Sequence, residues 1–216
     1  MRGHVTPGGP ALRFPLAPDL ACLKLSVGPL DNNSYLILPS QGPAMLIDAP
    51  TDVQRLLEVI GDRDLSVVVT THCHRDHLGA LADVVAVTGA TPICGTADRA
   101  AIAAASGVDC RPVWTGDNLA CQGYDFEVIG LVGHTPGSIA LVSPGLPVHI
   151  FSGDALFPGG VGKTSSPEAF ESLYRDVTGE IFDRFADDTV IHPGHGDDTT
   201  LGAERPQLAE WQNRGW

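Results

Sequence analysis

The segment THCHRDHLG, residues 71–79, places His72, His74, Asp76 and His77 within six positions. Imidazole and carboxylate are donors suited to zinc, iron or manganese. In an extended chain, residues two apart point the same way, so His72 and His74 can grip one cation together. Asp76 and His77 come after the chain turns and could serve a second cation nearby. A lone H-x-H pair is more often structural. Four such side chains in one short loop are costly to bury without a task.

Three separated segments offer further donors. GHTPGS supplies His134, FSGDALF supplies Asp154 and HPGHGDD supplies His195. Each follows a strand-like run. Each is flanked by glycine (Gly133, Gly153, Gly194, Gly196), which lets the backbone turn tightly and approach an ion. Taken singly, each would be an ordinary loop residue. Of the remaining histidines, His4 and His149 read as surface or packing residues, and His192 falls inside a strand rather than at its end.

These residues need elements to position them. Residues 1–20 are rich in proline and glycine and read as an irregular arm, followed by one domain over 21–216. CLKLSVG, NSYLIL and AMLIDA are short strand-like runs separated by turn residues. TDVQRLLEVIGDRD reads as a helix, with Thr51 or Asp52 as cap, Val53, Leu56, Leu57 and Ile60 on one face, and Gly61 as its end. LSVVVTT is a continuous apolar run, as expected of a strand buried on both faces, and the first histidine segment begins where it stops. GALADVVAVTG is a helix, TPIC a strand and ADRAAIAAAS a helix. Strand and turn then alternate from Arg111 to Ser152. SPEAFESLYRDVTGEIF, TVIHPG and GAERPQLAEWQNRG complete the chain as helix, strand and helix. Two sheets with helices outside them satisfy this order, a layered α/β sandwich.

Composition narrows the function. Thirteen Lys and Arg against 26 Asp and Glu give a formal charge of −13, which repels phosphate backbones and argues against nucleic acid as a partner. The apolar runs are too short to span a membrane. Prolines interrupt the N-terminal stretch where a secretory signal needs continuous apolar residues. Five irregularly spaced cysteines, with no C-x-x-C pair, suit reduced thiols in a cytoplasm. The NNS at Asn32 fits a glycosylation pattern that has no meaning there.

The set THCHRDH, GHTPGS, SGDALF and PGHG, in this order, resembles the metallo-β-lactamase-fold hydrolases, and most of all their glyoxalase II-like branch. The resemblance spans residues 22–200. It implies an αββα four-layer sandwich with the site at one edge of the two sheets. It implies that His72, His74 and His134 bind one metal, that Asp76, His77 and His195 bind a second, and that Asp154 bridges them. It implies that Asp48, in LIDA, supports the metal loop from behind. Two divalent ions are expected, zinc first, with iron or manganese as alternatives. Such a pair lowers the pKa of a shared water and polarises a carbonyl, with Asp76 orienting the nucleophile. A thiolate leaving group needs little protonation, so the implied reaction is hydrolysis of a small-molecule acyl thioester, on glutathione or another thiol.

Related activities stay open at this point. Lactonases and other ester hydrolases of the fold carry the same residues. Persulfide dioxygenases resemble the pattern too, and His72, His134 and Asp154 would supply their single iron. Glyoxalase II proper adds a C-terminal helical region that helps bind glutathione, whereas 21 residues follow His195 here. Cys73 stands between the first two histidines, where glyoxalase II usually has histidine, and reads as a small buried residue. GGVGKTS looks like a phosphate loop, but the glycine required five positions before Gly162 is Phe157. It reads instead as a flexible loop at the mouth of the site, whose Lys163 would meet the carboxylates of the thiol carrier.

Overall fold

The computed structural model describes residues 3–215. Strands β1 (Leu12–Ala17), β2 (Leu20–Val27), β3 (Asn32–Pro39), β4 (Ala44–Ile47), β5 (Leu65–Thr70), β6 (Thr91–Gly95) and β7 (Arg111–Val113) form one sheet in that spatial order. β1 to β4 pair antiparallel and β4 to β7 parallel. The parallel joins require crossovers, supplied by α1 (Val53–Ile60), α2 (Leu81–Thr88) and α3 (Arg99–Ser106). The second sheet contains β8 (Asn118–Cys121), β9 (Tyr124–Gly130), β10 (Ile139–Val142) and β11 (His149–Gly153). After the small hairpin of β12 (Leu156–Phe157) and β13 (Gly160–Val161) come β14 (Val190–Pro193) and β15 (Thr199–Thr200). The order of the second sheet is β15-β14-β11-β10-β9-β8, with β11 and β14 parallel. Helices α4 (Pro167–Val177), α5 (Leu201–Glu204) and α6 (Leu208–Arg214) accompany it.

Three apolar cores separate four layers. Tyr35, Ile37, Ile47, Val69, Phe126, Val128, Leu141 and Phe151 fill the space between the sheets. Leu46, Leu56, Ile60, Val68, Leu81 and Ile102 join the first sheet to its helices. Ile129, Ile150, Leu173, Ile181, Ile191 and Trp211 do the same for the second. Both sheets are therefore buried on both faces, and their central strands read as unbroken apolar runs.

Several expectations are corrected. The arm over residues 1–20 is not irregular throughout, because Leu12–Ala17 forms β1. Pro15 is tolerated there because the strand is at the sheet edge, and the register shifts between Pro15 and Ala17. The GGVGKTS segment is not wholly loop, since Gly160 and Val161 pair with Phe157 and Leu156. The last helix is broken into α5, a 3₁₀ turn over Arg205–Gln207, and α6, with Pro206 in the turn. Trp211 in α6 is buried against Phe182. All five cysteines are free thiols, as expected. Among the described residues, no helix is long and apolar enough to cross a membrane.

His149 and His192 are buried between the sheets, joined Nδ1 to Nε2 at 2.8 Å, with Phe14 stacked on both rings. Burial, then the neighbouring His192, pushes the His149 pKa down to about 4, against a smaller opposing pull from Asp198. The unfolded imidazole takes up its proton near 6.5 and the folded one only near 4. The unfolded state therefore binds more protons in this window, and stability falls as pH drops from 6.5 to 4. The melting temperature of metal-free protein should decline over that range. In His149→Gln the same scan should be flatter.

Candidate metal centre

The donors converge because their strands end on one side of the molecule. β5 runs parallel to β4 and β6, and its exit carries His72, His74, Asp76 and His77. β11 and β14 are parallel neighbours, and their exits carry Asp154 and His195. His134 sits in the turn between β9 and β10. The sheets are tied together at this edge, where the Ile139 amide donates to Thr71 O at 2.9 Å.

All seven predicted side chains meet there. His72, His74 and His134 have ring nitrogens within 4.8 Å of one another, and so do the donor atoms of Asp76, His77 and His195. Asp154 lies between these groups. Its Oδ2 is 3.4 Å from His134 Nε2, 3.4 Å from His195 Nε2 and 3.9 Å from His72 Nε2, while its Oδ1 is 3.4 Å from His77 Nε2. His72 Nε2 lies 3.1 Å from His74 Nδ1, and His77 Nε2 lies 3.0 Å from His195 Nε2.

The distal ring nitrogens decide which atoms face inward. His134 Nδ1 is 2.6 Å from Lys163 O, His195 Nδ1 is 2.8 Å from Leu30 O, and His77 Nδ1 is 2.9 Å from a carboxylate oxygen of Asp48. Each acceptor fixes the tautomer that turns an Nε2 lone pair into the cluster. His134 Nε2 and Asp154 Oδ1 are buried without a hydrogen-bond partner. Buried polar atoms are seldom left this way, and a set of unpartnered donors on imidazole and carboxylate fits one or two divalent cations.

The electrostatics fit as well. Burial holds the pKa of His72 and of His134 below the ordinary value, so both rings are neutral and keep a lone pair. Burial would also lower His77 and His195, but carboxylates override it. Asp154 and Asp48 raise His77 to about 10, and Asp154 raises His195. Burial would raise Asp154, but His195 and His77 bring it far below the carboxylate range. A bound cation would take the place of the protons that these carboxylates favour on the two rings.

Asp48 anchors the first loop. It is buried, accepts from the Thr71 amide and the Thr71 hydroxyl at 2.8 Å each, and sits at φ 59°, a left-handed conformation that aspartate tolerates. Gly194 is a close approach. A Cβ there would come within 2.2 Å of Asp154 Oδ1 and 2.6 Å of His77 Cε1. Its φ lies outside the left-handed region, so Gly194→Ala should leave the fold intact and displace these two side chains. Metal affinity should fall by about tenfold or more, read by chelator competition alongside unchanged circular dichroism.

Sequence reading missed three contributors. Asn32 is buried, and its Nδ2 donates to Asp76 O at 3.0 Å and Asp76 Oδ2 at 3.1 Å, so its place in an NNS pattern was a decoy. Asp98 and Lys24 are buried charges bonded to loops that carry the histidines. Cys73 is half-buried rather than buried, and burial, then the nearby Asp98, pushes its thiol up to about 11, which disfavours the thiolate. Lys163 borders a cleft of ≈ 280 Å³ shared with Gly162, Phe170, Trp211 and Arg214.

Comparisons with known proteins agree with this arrangement. The family model described as Metallo-beta-lactamase superfamily matches residues 27–195. A Haemophilus influenzae protein named hydroxyacylglutathione hydrolase GloC is 30% identical over 200 residues, 84% of this chain and 93% of that protein. A Polaromonas protein named hydroxyacylglutathione hydrolase is 35% identical over 168 residues, 76% of this chain, which spans only 62% of that relative's length. Among solved structures, TTHA1623 in a di-iron-bound form has TM-score 0.68 and 30% identity, covering 84% of this chain and 96% of that one. ETHE1 from Myxococcus xanthus has TM-score 0.71 and 27% identity, covering 88% and 84%. The layered sheets, the clustered donors and these matches together make the chain a member of the metallo-beta-lactamase superfamily and a metal-dependent hydrolase.

Proposed function

We propose that the protein is a glyoxalase II-like thioesterase that hydrolyses an acyl thioester of glutathione or a similar thiol. The observation that carries this reading is the pair of three-donor groups joined through Asp154. The names of the relatives, hydroxyacylglutathione hydrolase, support the substrate class. In this reading His72, His74 and His134 would hold one divalent ion, Asp76, His77 and His195 would hold the other, and Asp154 would serve both. Zinc is the first choice of metal, with iron or manganese as alternatives, and the setting is cytoplasmic. Two such ions supply Lewis acidity for the carbonyl oxygen and make a water acidic enough to ionise near neutral pH.

The remaining steps belong to side chains. Burial opposes ionisation of Asp76, but hydrogen bonding from Asn32 and the nearby His77 bring its pKa down, so its carboxylate stays charged. It can accept a hydrogen bond from the attacking water and orient it toward the carbonyl. The water oxygen bonds to the carbonyl carbon, the tetrahedral adduct collapses with cleavage of the carbon–sulfur bond, and the acid and a thiolate leave, with the water's protons released to solvent, so the leaving group needs no dedicated acid. The cleft beside Gly162, with Lys163 and Arg214 on its walls, offers cationic groups for a carboxylate-bearing thiol carrier.

The test compares a hydroxyacyl glutathione thioester with the matching oxygen ester and a lactone, using zinc-loaded protein. The reading predicts thiol release with kcat/KM at least about tenfold above either oxygen substrate. Preference for the lactone or ester would overturn the carrier assignment. Oxygen consumption with a persulfide, by protein holding one iron, would replace hydrolysis with the dioxygenase alternative.

A further inference from the structure

Two buried charges outside the cluster each grip a different part of it. Lys24, on β2, is fully buried, which is uncommon for lysine unless it is paired. Its Nζ donates to Gly196 O and Asp198 Oδ1, both at 2.7 Å. His192 Nδ1 is 3.1 Å from the same Asp198 oxygen. From β3, Asn33 Nδ2 donates to Pro193 O at 2.9 Å and Gly196 O at 3.0 Å, and Tyr35 OH to Pro193 O at 2.6 Å. The first sheet thus holds residues 193–198 of the second, the segment that presents His195.

Asp98 plays the matching part on the other side. It precedes α3, where an aspartate would ordinarily cap the helix, yet its carboxylate makes no capping bond. It is 1% exposed, and it accepts from the Cys73 amide at 2.9 Å, the Thr135 hydroxyl at 2.6 Å and the Gly137 amide at 2.8 Å. Cys73 lies between His72 and His74, and Thr135 follows His134. One carboxylate therefore ties together the two loops that carry the three-histidine group. A local preference is given up for a contact that fixes the site.

We propose that the two halves of the centre are positioned by separate buried charges: Asp98 sets the His72, His74 and His134 half, and the Lys24–Asp198 pair sets the His195 half. This rests on the dinuclear reading above. Neither charge reaches the cluster, so both are positioning residues. A buried ion pair adds little net stability over apolar packing, which leaves geometry as its main contribution here.

The experiment titrates zinc into the metal-stripped full chain, wild type and variants, against a chromophoric chelator. Imidazole ¹⁵N–¹H spectra identify which histidines are bound. Asp98→Asn turns an amide N–H toward backbone N–H donors. Lys24→Met with Asp198→Asn removes the ion pair without stranding either charge, which protects against simple misfolding. In the Lys24/Asp198 variant we expect one zinc held as in wild type by His72, His74 and His134, and the second weakened about 10- to 100-fold. Asp98→Asn should show the reverse, with His77 and His195 still bound. Two zinc ions at wild-type affinity in both variants would overturn the proposal. Equal weakening of both sites, with a lowered melting temperature, would also overturn it, because a merely structural role predicts that result. Wild type binding fewer than two zinc ions would overturn the dinuclear reading itself, a distinguishable failure.

Discussion

Alanine in place of Asp154 should abolish hydrolysis while leaving the fold in place, with kcat/KM down by about 10³-fold or more. Among the described residues, Asp154 is the one carboxylate near both donor groups, with oxygens 3.4 Å from His77, His134 and His195. In the dinuclear reading its loss would remove the negative charge that offsets two cations. It also leaves His72, His77, His134 and His195 without the carboxylate they face. Asp154→Asn should be almost as damaging, because it keeps the volume and loses the charge. Metal analysis beside steady-state assays checks this: both ions should be lost or loosened. Substantial activity in Asp154→Ala would remove the carboxylate from the mechanism. His195→Ala adds discrimination. It should be severely impaired if two ions act together, and near wild type if the working site is His72, His134 and Asp154 with a single iron.

The second large effect is expected at Asp48, and it falls on stability as well as chemistry. Its carboxylate receives the Thr71 amide and hydroxyl and lies 2.9 Å from His77 Nδ1, all buried. Asp48→Ala strands these groups without water. It should cost about 3–5 kcal/mol, as for breaking a buried charged pair from one side. At about 2–4 °C per kcal/mol for a chain of this size, the melting temperature should drop by roughly 10 °C. His77 would also lose the group that fixes its tautomer, so metal affinity should fall by about 10- to 100-fold. Asp48→Asn should recover part of the stability, because asparagine tolerates the left-handed backbone and still accepts one bond. Thermal melts and chelator competition on both variants separate the two contributions. An alanine variant with wild-type melting and metal retention would contradict the role given to Asp48.

The candidate donors were legible because their signals are local. Four crowd into one short segment after a strand, and His134, Asp154 and His195 each have a glycine beside them, so residue type and chain direction could be read from a few letters. The layering was legible for a related reason: LSVVVTT has three valines in a row because helices cover one face of its sheet and the other sheet covers the opposite face. The supporting residues were not legible. Lys24 meets Asp198 across 174 positions and Asn32 meets Asp76 across 44, and only the tertiary fold brings them together. Asp98 looked like the start of a helix because nothing near it in sequence reveals the loops it binds. β1 was hidden by Pro15, which breaks a strand pattern in the chain but is harmless at a sheet edge.

The central claim is that two cations sit between these strand ends and work together. Metal identity and stoichiometry, measured by elemental analysis on protein purified without added metal or chelator, tests it most directly. The account predicts about two divalent ions per chain, zinc or a mixture with iron or manganese, and recovery of both after stripping and reconstitution. One tightly held iron per chain with no second ion bound on reconstitution, or no metal retained at all, would contradict it.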